Sequence, residues 1–201
     1  MAYTDFTLES AEAELGVIAR PGVLFPGLQP LPVPAWLQDL LGRGMRLALV
    51  SEKARSEFIV APILLAVREL SGERIAILSG QRLDVDPERR LMGECDFILA
   101  LSEPVPRLRA PLMLIVEAKK NDIEAGLGQC VAQMVAAQIY NQRAGQTLPA
   151  VYGCVTTGEN WQFLQLAGMD VTIDQKRYYI DNVGGILAAL QAAISLPRAT
   201  A

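Results

Sequence analysis

An apolar strand that runs straight into charge, and then into a helix start, constrains this chain more than any other feature. It lies in PLMLIVEAKKNDIEAGLGQ, residues 111–129, where Leu112 to Val116 are apolar, Glu117-Ala118-Lys119 follows, and a glycine-punctuated helix opens soon after. Residues two apart in a strand share a face, so Glu117 and Lys119 point the same way. The chain has only four lysines, and Lys119 and Lys120 are two of them. A carboxylate and an ammonium at the edge of a core are costly to desolvate, which points to chemistry. The plain alternative is a strand-end ion pair, which on a surface contributes little.

The rest of the chain reads as α/β, with a mixed central sheet flanked by helices. Residues 1–46 read as an N-terminal arm, because Pro21, Pro26, Pro30, Pro32 and Pro34 break regular structure and only a short apolar helix near Trp36–Leu41 docks it. Residues 47–201 read as the folded domain. Its first strong helix opens at Ser51, a good N-cap, and carries Phe58, Ile59, Ile63, Leu64 and Val67 as a core stripe. Pro62 should kink or split it, and Gly72 ends it. Strands are expected at Ile75–Ser79, from Cys95, and at Leu112–Ala118. A loop with Pro104, Pro106 and Pro111 precedes the last of these. A helix is expected over Glu124–Gln142, then strands in VYGCVTTG and WQFLQLAG, short strands at Val171–Ile173 and Arg177–Ile180, and a closing helix over Val183–Ser195.

Composition removes whole classes of chemistry. The chain has no histidine, so the usual general base, the serine and cysteine triads and the commonest zinc ligand are all missing. Catalysis must rest on carboxylates, lysine, or a metal held by oxygens. Three widely spaced cysteines argue against a disulfide framework or a zinc site and read as small core residues. With a polar N-terminus and no apolar run long enough to cross a bilayer, a cytoplasmic protein without membrane contact is expected. The net charge of −4 does not advertise nucleic-acid binding, although fourteen arginines leave room for a local basic groove.

Asp96 begins the strand before the Glu-Ala-Lys strand. Paired as neighbours, these strands bring Asp96 to Glu117 and Lys119 at one sheet edge. Two carboxylates so placed suit Mg²⁺, with Mn²⁺ as a substitute, and Glu94 competes with Asp96 for the ligand role. An acid-x-Lys triplet alone is weak, since composition gives on the order of 0.4 by chance. A second exists, Asp174-Gln175-Lys176, and reads as a turn between two short strands. Lys120 reads as solvated, Arg55 and Arg143 as surface helix residues. Gly126 and Gly128 lack the context of a phosphate loop.

The set Asp96, Glu117, Lys119 resembles the PD-(D/E)xK nuclease superfamily, over roughly residues 50–160. SEKARSEFIVAPIL is similar to the opening of the nuclease region of type I restriction subunits, with Glu52 the better match to its helical acid and Glu57 the second choice. Gln129 and Gln133 resemble that group's Gln-x-x-x-Tyr motif, with Gln133 in place of the tyrosine, and Cys95 stands where the namesake proline would be. The C-terminal part is similar to uncharacterised bacterial, notably cyanobacterial, proteins with this core. The resemblance implies a restriction-endonuclease-like fold and Mg²⁺-dependent hydrolysis of DNA phosphodiesters. Asp96, Glu117 and the Ala118 carbonyl would hold the metal, Lys119 would position the water, Glu52 would assist, and Gln129 would orient a ligand or the lysine. Cutting a duplex would call for a homodimer or a partner subunit. Two rival readings stand beside this: a catalytically silent nuclease-fold module binding nucleic acid or a partner protein, and a hydrolase of small phosphate esters.

Overall fold

The computed structural model describes residues 2–48, 51–103 and 107–195. One mixed sheet of seven strands organises them: β1 (Ile18–Gly22), β2 (Ala76–Arg82), β3 (Glu94–Ala100), β4 (Leu112–Ala118), β5 (Val151–Thr156), β6 (Asn160–Ala167) and β7 (Asp170–Tyr179), in spatial order β1-β7-β6-β5-β4-β3-β2. β2, β3 and β4 form an antiparallel meander. The 20-residue helix α5 (Glu124–Arg143) then carries the chain back, so that β5 lies parallel to β4. β6 and β7 continue antiparallel, and β1 joins the outer edge parallel to β7.

Helices cover both faces: α1 (Leu8–Leu15) and α5 (Glu124–Arg143) on one, and α2 (Ala35–Leu47), α3 (Glu52–Arg55), α4 (Ala61–Leu70) and α6 (Val183–Ile194) on the other. Because β4 is central and buried along its whole length, every one of its seven positions is shielded, and an apolar run is what such a strand needs. On the α5 side Ile115 and Val155 pack with Val131 and Met134; on the other, Val116 and Phe163 pack with Ile63 and Leu190. The three cysteines are free and buried. Among the described residues no helix is long and apolar enough to cross a membrane.

The N-terminal segment is no appendage. Thr7 caps α1, its hydroxyl accepting the Ser10 N–H, and β1 adds a strand in which Pro21 sits on a sheet edge, where proline's missing N–H is tolerated. Tyr3, Phe6, Ala11, Leu15 and Val17 are buried in the same core as α5. The later prolines precede α2, which runs well beyond the short helix expected near Trp36. The contact is close: a Cβ on Gly128 of α5 would lie 2.2 Å from the Thr7 carbonyl carbon. Backbone on both sides leaves little room to relax, so Gly128→Ala is expected to cost about 3 kcal/mol and lower the melting temperature by about 10 °C in a thermal scan. An unchanged melting temperature would show that α1 is not seated on α5.

Two other expectations change form. The helix from Ser51 does not simply kink at Pro62. It widens into a π-helical turn, Ser56–Val60, between α3 and α4, with the Ala61 N–H bonded to Ser56 five residues back. Pro62 has no N–H to place, so the wider turn and the proline fit together. Asp174-Gln175-Lys176 is not a turn. It lies inside the continuous strand β7, at a bulge where the register with β6 shifts between Leu164–Ile173 and Gln162–Arg177. Asp174 is 3% exposed, and its carboxylate accepts the Lys176 N–H at 3.3 Å, which ties the bulge together locally. Pro104 and Pro106 lie outside the described residues.

Candidate active site

Near its C-terminal end, β4 holds Glu117 with its side chain almost wholly buried, at 3% exposure. Phe97 pairs with Val116, which sets Asp96 at the start of β3 beside Glu117, and Asp96 Oδ2 accepts the Ala118 N–H at 2.7 Å. Beyond the strand end, the Lys119 N–H is held by the Thr156 carbonyl at 2.7 Å, and its Nζ donates to Glu117 Oε1 and to Gln129 Oε1, both at 2.8 Å. Gln133, one helical turn after Gln129 and fully buried, donates Nε2 to Glu117 Oε2 at 3.0 Å. Both oxygens of Glu117 are thereby fixed. Gln133 Oε1 is buried with no hydrogen-bond partner among the described residues.

The charges are arranged under tension. Burial, then the neighbouring Asp96 charge, push the Glu117 carboxyl up to about 7, against the opposing pull of Lys119 and Gln133. Burial also raises Asp96, opposed first by the Ala118 N–H and then by Lys119. Burial disfavours the Lys119 ammonium, yet the Glu117 charge and hydrogen bond, with Glu52 and Asp96 behind them, outweigh it and raise its value. Two carboxylates that resist ionising together, beside one fixed cation, form a site that a second cation would relieve.

On the α3 side of the sheet a cavity of about 580 Å³ opens onto Asp96 and Ala118, with Glu52, Glu57 and Glu94 around it and Phe97 in its wall. Glu52 is solvent-exposed, but its charge acts on both Asp96 and Lys119. Glu57 pairs with Lys53 at 3.4 Å, half-exposed, and Glu94 is exposed with its carboxylate near Gly80. The fold therefore brings Asp96, Glu117, Lys119, Gln129 and Gln133 into one cluster, sets Glu52 at its mouth, and leaves Glu57 and Glu94 on the rim.

Arg55 is the residue that sequence reasoning placed wrongly. It is 11% exposed, donating Nη1 to the Thr157 carbonyl at 3.0 Å and pairing with Glu159 at 3.3 Å. It thus ties the helix bearing Glu52 to the turn that follows the Lys119 anchor, Thr156. No local signal marks it: Glu52, three residues earlier on the same helix, is exposed, and Ile59, four later, lies in the π-helical turn.

Mg²⁺ fits the donor set in kind: Asp96 and Glu117 offer hard oxygens, Ala118 lines the cavity beside Asp96 and has a carbonyl to offer, and a cation there would offset the repulsion that raises both acids. Among the described residues, no group of three or more His, Cys, Asp or Glu side chains is arranged to hold a metal, so the ion would depend on that carbonyl and on water. No protein-family model matches the chain, and no curated protein is significantly similar to it.

Proposed function

We propose that the protein is a divalent-cation-dependent nuclease hydrolysing phosphodiester bonds in DNA, on a restriction-endonuclease-like core. The observation that carries this is the buried Glu117 carboxylate, fixed by Lys119 and Gln133 and set against Asp96. The order of elements supports the same reading: a helix, a three-stranded antiparallel meander, a crossover helix, and a fourth strand parallel to the third.

Asp96, Glu117 and the Ala118 carbonyl would hold Mg²⁺, which supplies charge neutralisation at the phosphate and a lowered pKa of bound water. Lys119, clamped between Glu117 and Gln129, directs its ammonium to the reacting phosphate group and stabilises charge that grows there. Gln129 keeps the lysine from swinging away, and Gln133 keeps Glu117 from rotating. Glu52 adds negative charge at the mouth, where a further hydrated cation can sit. Hydrolysis adds the water oxygen to phosphorus and breaks one P–O ester bond.

The alternative is a catalytically silent module that binds nucleic acid or a partner protein. The net charge of −4 and the lack, among the described residues, of a third ligating side chain favour it. Calorimetric titration with Mg²⁺ and Mn²⁺, with and without a short DNA duplex, separates the two. Binding by the wild type that vanishes in Asp96→Ala/Glu117→Ala is the expected result. No metal binding even with duplex present would leave the silent module.

A further inference from the structure

We infer that Arg177 is a phosphate-backbone contact of the substrate, held beside the reacting centre by a buried device of β6 and β7. The inference rests on the nuclease reading and adds to it the course of the nucleic-acid strand, across the strand ends from β4 towards β7.

Strand register places the residue. Glu117 is opposite Val155, Val155 opposite Gln162, and Gln162 opposite Arg177, so a single row crosses four strands from the acid to the arginine. Directly paired residues share a sheet face, and three strand spacings put the two backbones about 14 Å apart. This row is made by the bulge in β7. Continuing the register of Leu164 with Ile173 would set Gln175 opposite Gln162; the bulge sets Arg177 there instead. Bulges near functional sites commonly re-aim a side chain in this way.

Gln162 completes the device. It is a buried polar residue, 5% exposed, whose amide donates to the Asp174 carbonyl at 2.5 Å and whose oxygen accepts from Arg177 Nε at 3.1 Å. A buried amide is costly unless fully bonded, and this one spends both ends on the bulge and on one half-exposed guanidinium. The outer end of Arg177 meets Glu124, in the first turn of α5, which is 63% exposed. The guanidinium is thus fixed at its base and closed at its tip by a displaceable carboxylate. A planar fork of donors at the same sheet edge as Lys119 suits a phosphate flanking the cleaved one.

The competing carboxylate gives the test its sign. Fluorescence anisotropy of a short labelled DNA duplex, in Ca²⁺ to fill oxygen sites and across a salt series, reads both affinity and the number of phosphate contacts. Arg177→Ala is expected to weaken binding by roughly fivefold to tenfold, irrespective of base sequence, and to reduce the salt slope by about one. Glu124→Ala, at an exposed position, is expected to do the opposite and tighten binding, because it frees the guanidinium. A purely structural ion pair would give weaker binding in both variants, and that outcome would overturn the inference. So would wild-type affinity and salt slope in Arg177→Ala. Absence of binding by the wild type, with metal present, would overturn the nuclease reading as well. Should Arg177→Ala fail to fold, Arg177→Gln takes its place, and the drop of about one in the salt slope remains the expected result.

Discussion

Exchanging Lys119 for methionine is expected to slow DNA cleavage by roughly 10²–10³-fold while the protein stays folded. The ammonium has two partners, Glu117 and Gln129, and among the described residues no other cation is bonded to either. The stem has a packing role of its own, since a Cβ on Gly126 would already lie 3.1 Å from Lys119 Cγ, and methionine keeps that contact. Without the ammonium, Glu117 loses the charge that opposes its burial and its carboxyl titrates higher still, so the variant carries no unpaired buried charge near neutral pH. Single-turnover cleavage at pH 8 with saturating Mg²⁺ is the measurement, with circular dichroism as the check on folding. A rate within threefold of the wild type would remove Lys119 from the reaction.

The second large effect concerns stability. Glu117 has an ordinary value of 4.5 and a native value of about 7, so between those pH values the unfolded chain has released a proton that the native chain still holds. Stability therefore falls as pH rises through this window, and the loss is complete above pH 7, at about 3 kcal/mol. Asp96, also raised, adds to the same descent from its ordinary 3.8 upward, while the raised Lys119 acts only above its ordinary 10.5. Glu117→Gln removes the largest part of the slope: the variant should match the wild type near pH 4.5 and exceed it at pH 8. Urea unfolding at pH 5 and pH 8 reads this directly. A wild type that grows more stable between those values would contradict the burial of the acid. Mg²⁺ at pH 8 should stabilise the wild type and not the variant, because only the wild type offers the carboxylate pair.

The site was more legible than the frame around it. Leu112–Ala118 shows in the sequence because a strand buried on both faces tolerates little besides apolar side chains, and the charge at its end then stands out. Gln129 and Gln133 show because residues four apart share a helix face. The N-terminal segment does not, since five prolines over residues 21–34 hide the edge strand, and α1 before them is only eight residues long and packs against α5. Asp174-Gln175-Lys176 has the composition of a turn, and only pairing with β6 makes it a bulge. Arg55 was missed because a long cationic side chain is usually solvated, and nothing local announces the Thr157 carbonyl that receives it.

The parallel pairing of β1 with β7 has a consequence in time. Ile18 pairs with Asp170, so β1 is made well before its sheet neighbour β7 and takes its place in the sheet only once β7 exists. Until β7 has been made, Tyr3, Phe6 and Leu15 can settle on α5, but the strand beside them has no neighbour. The central strands can thus assemble first, around the acids and the lysine, while closure of the sheet waits for β7.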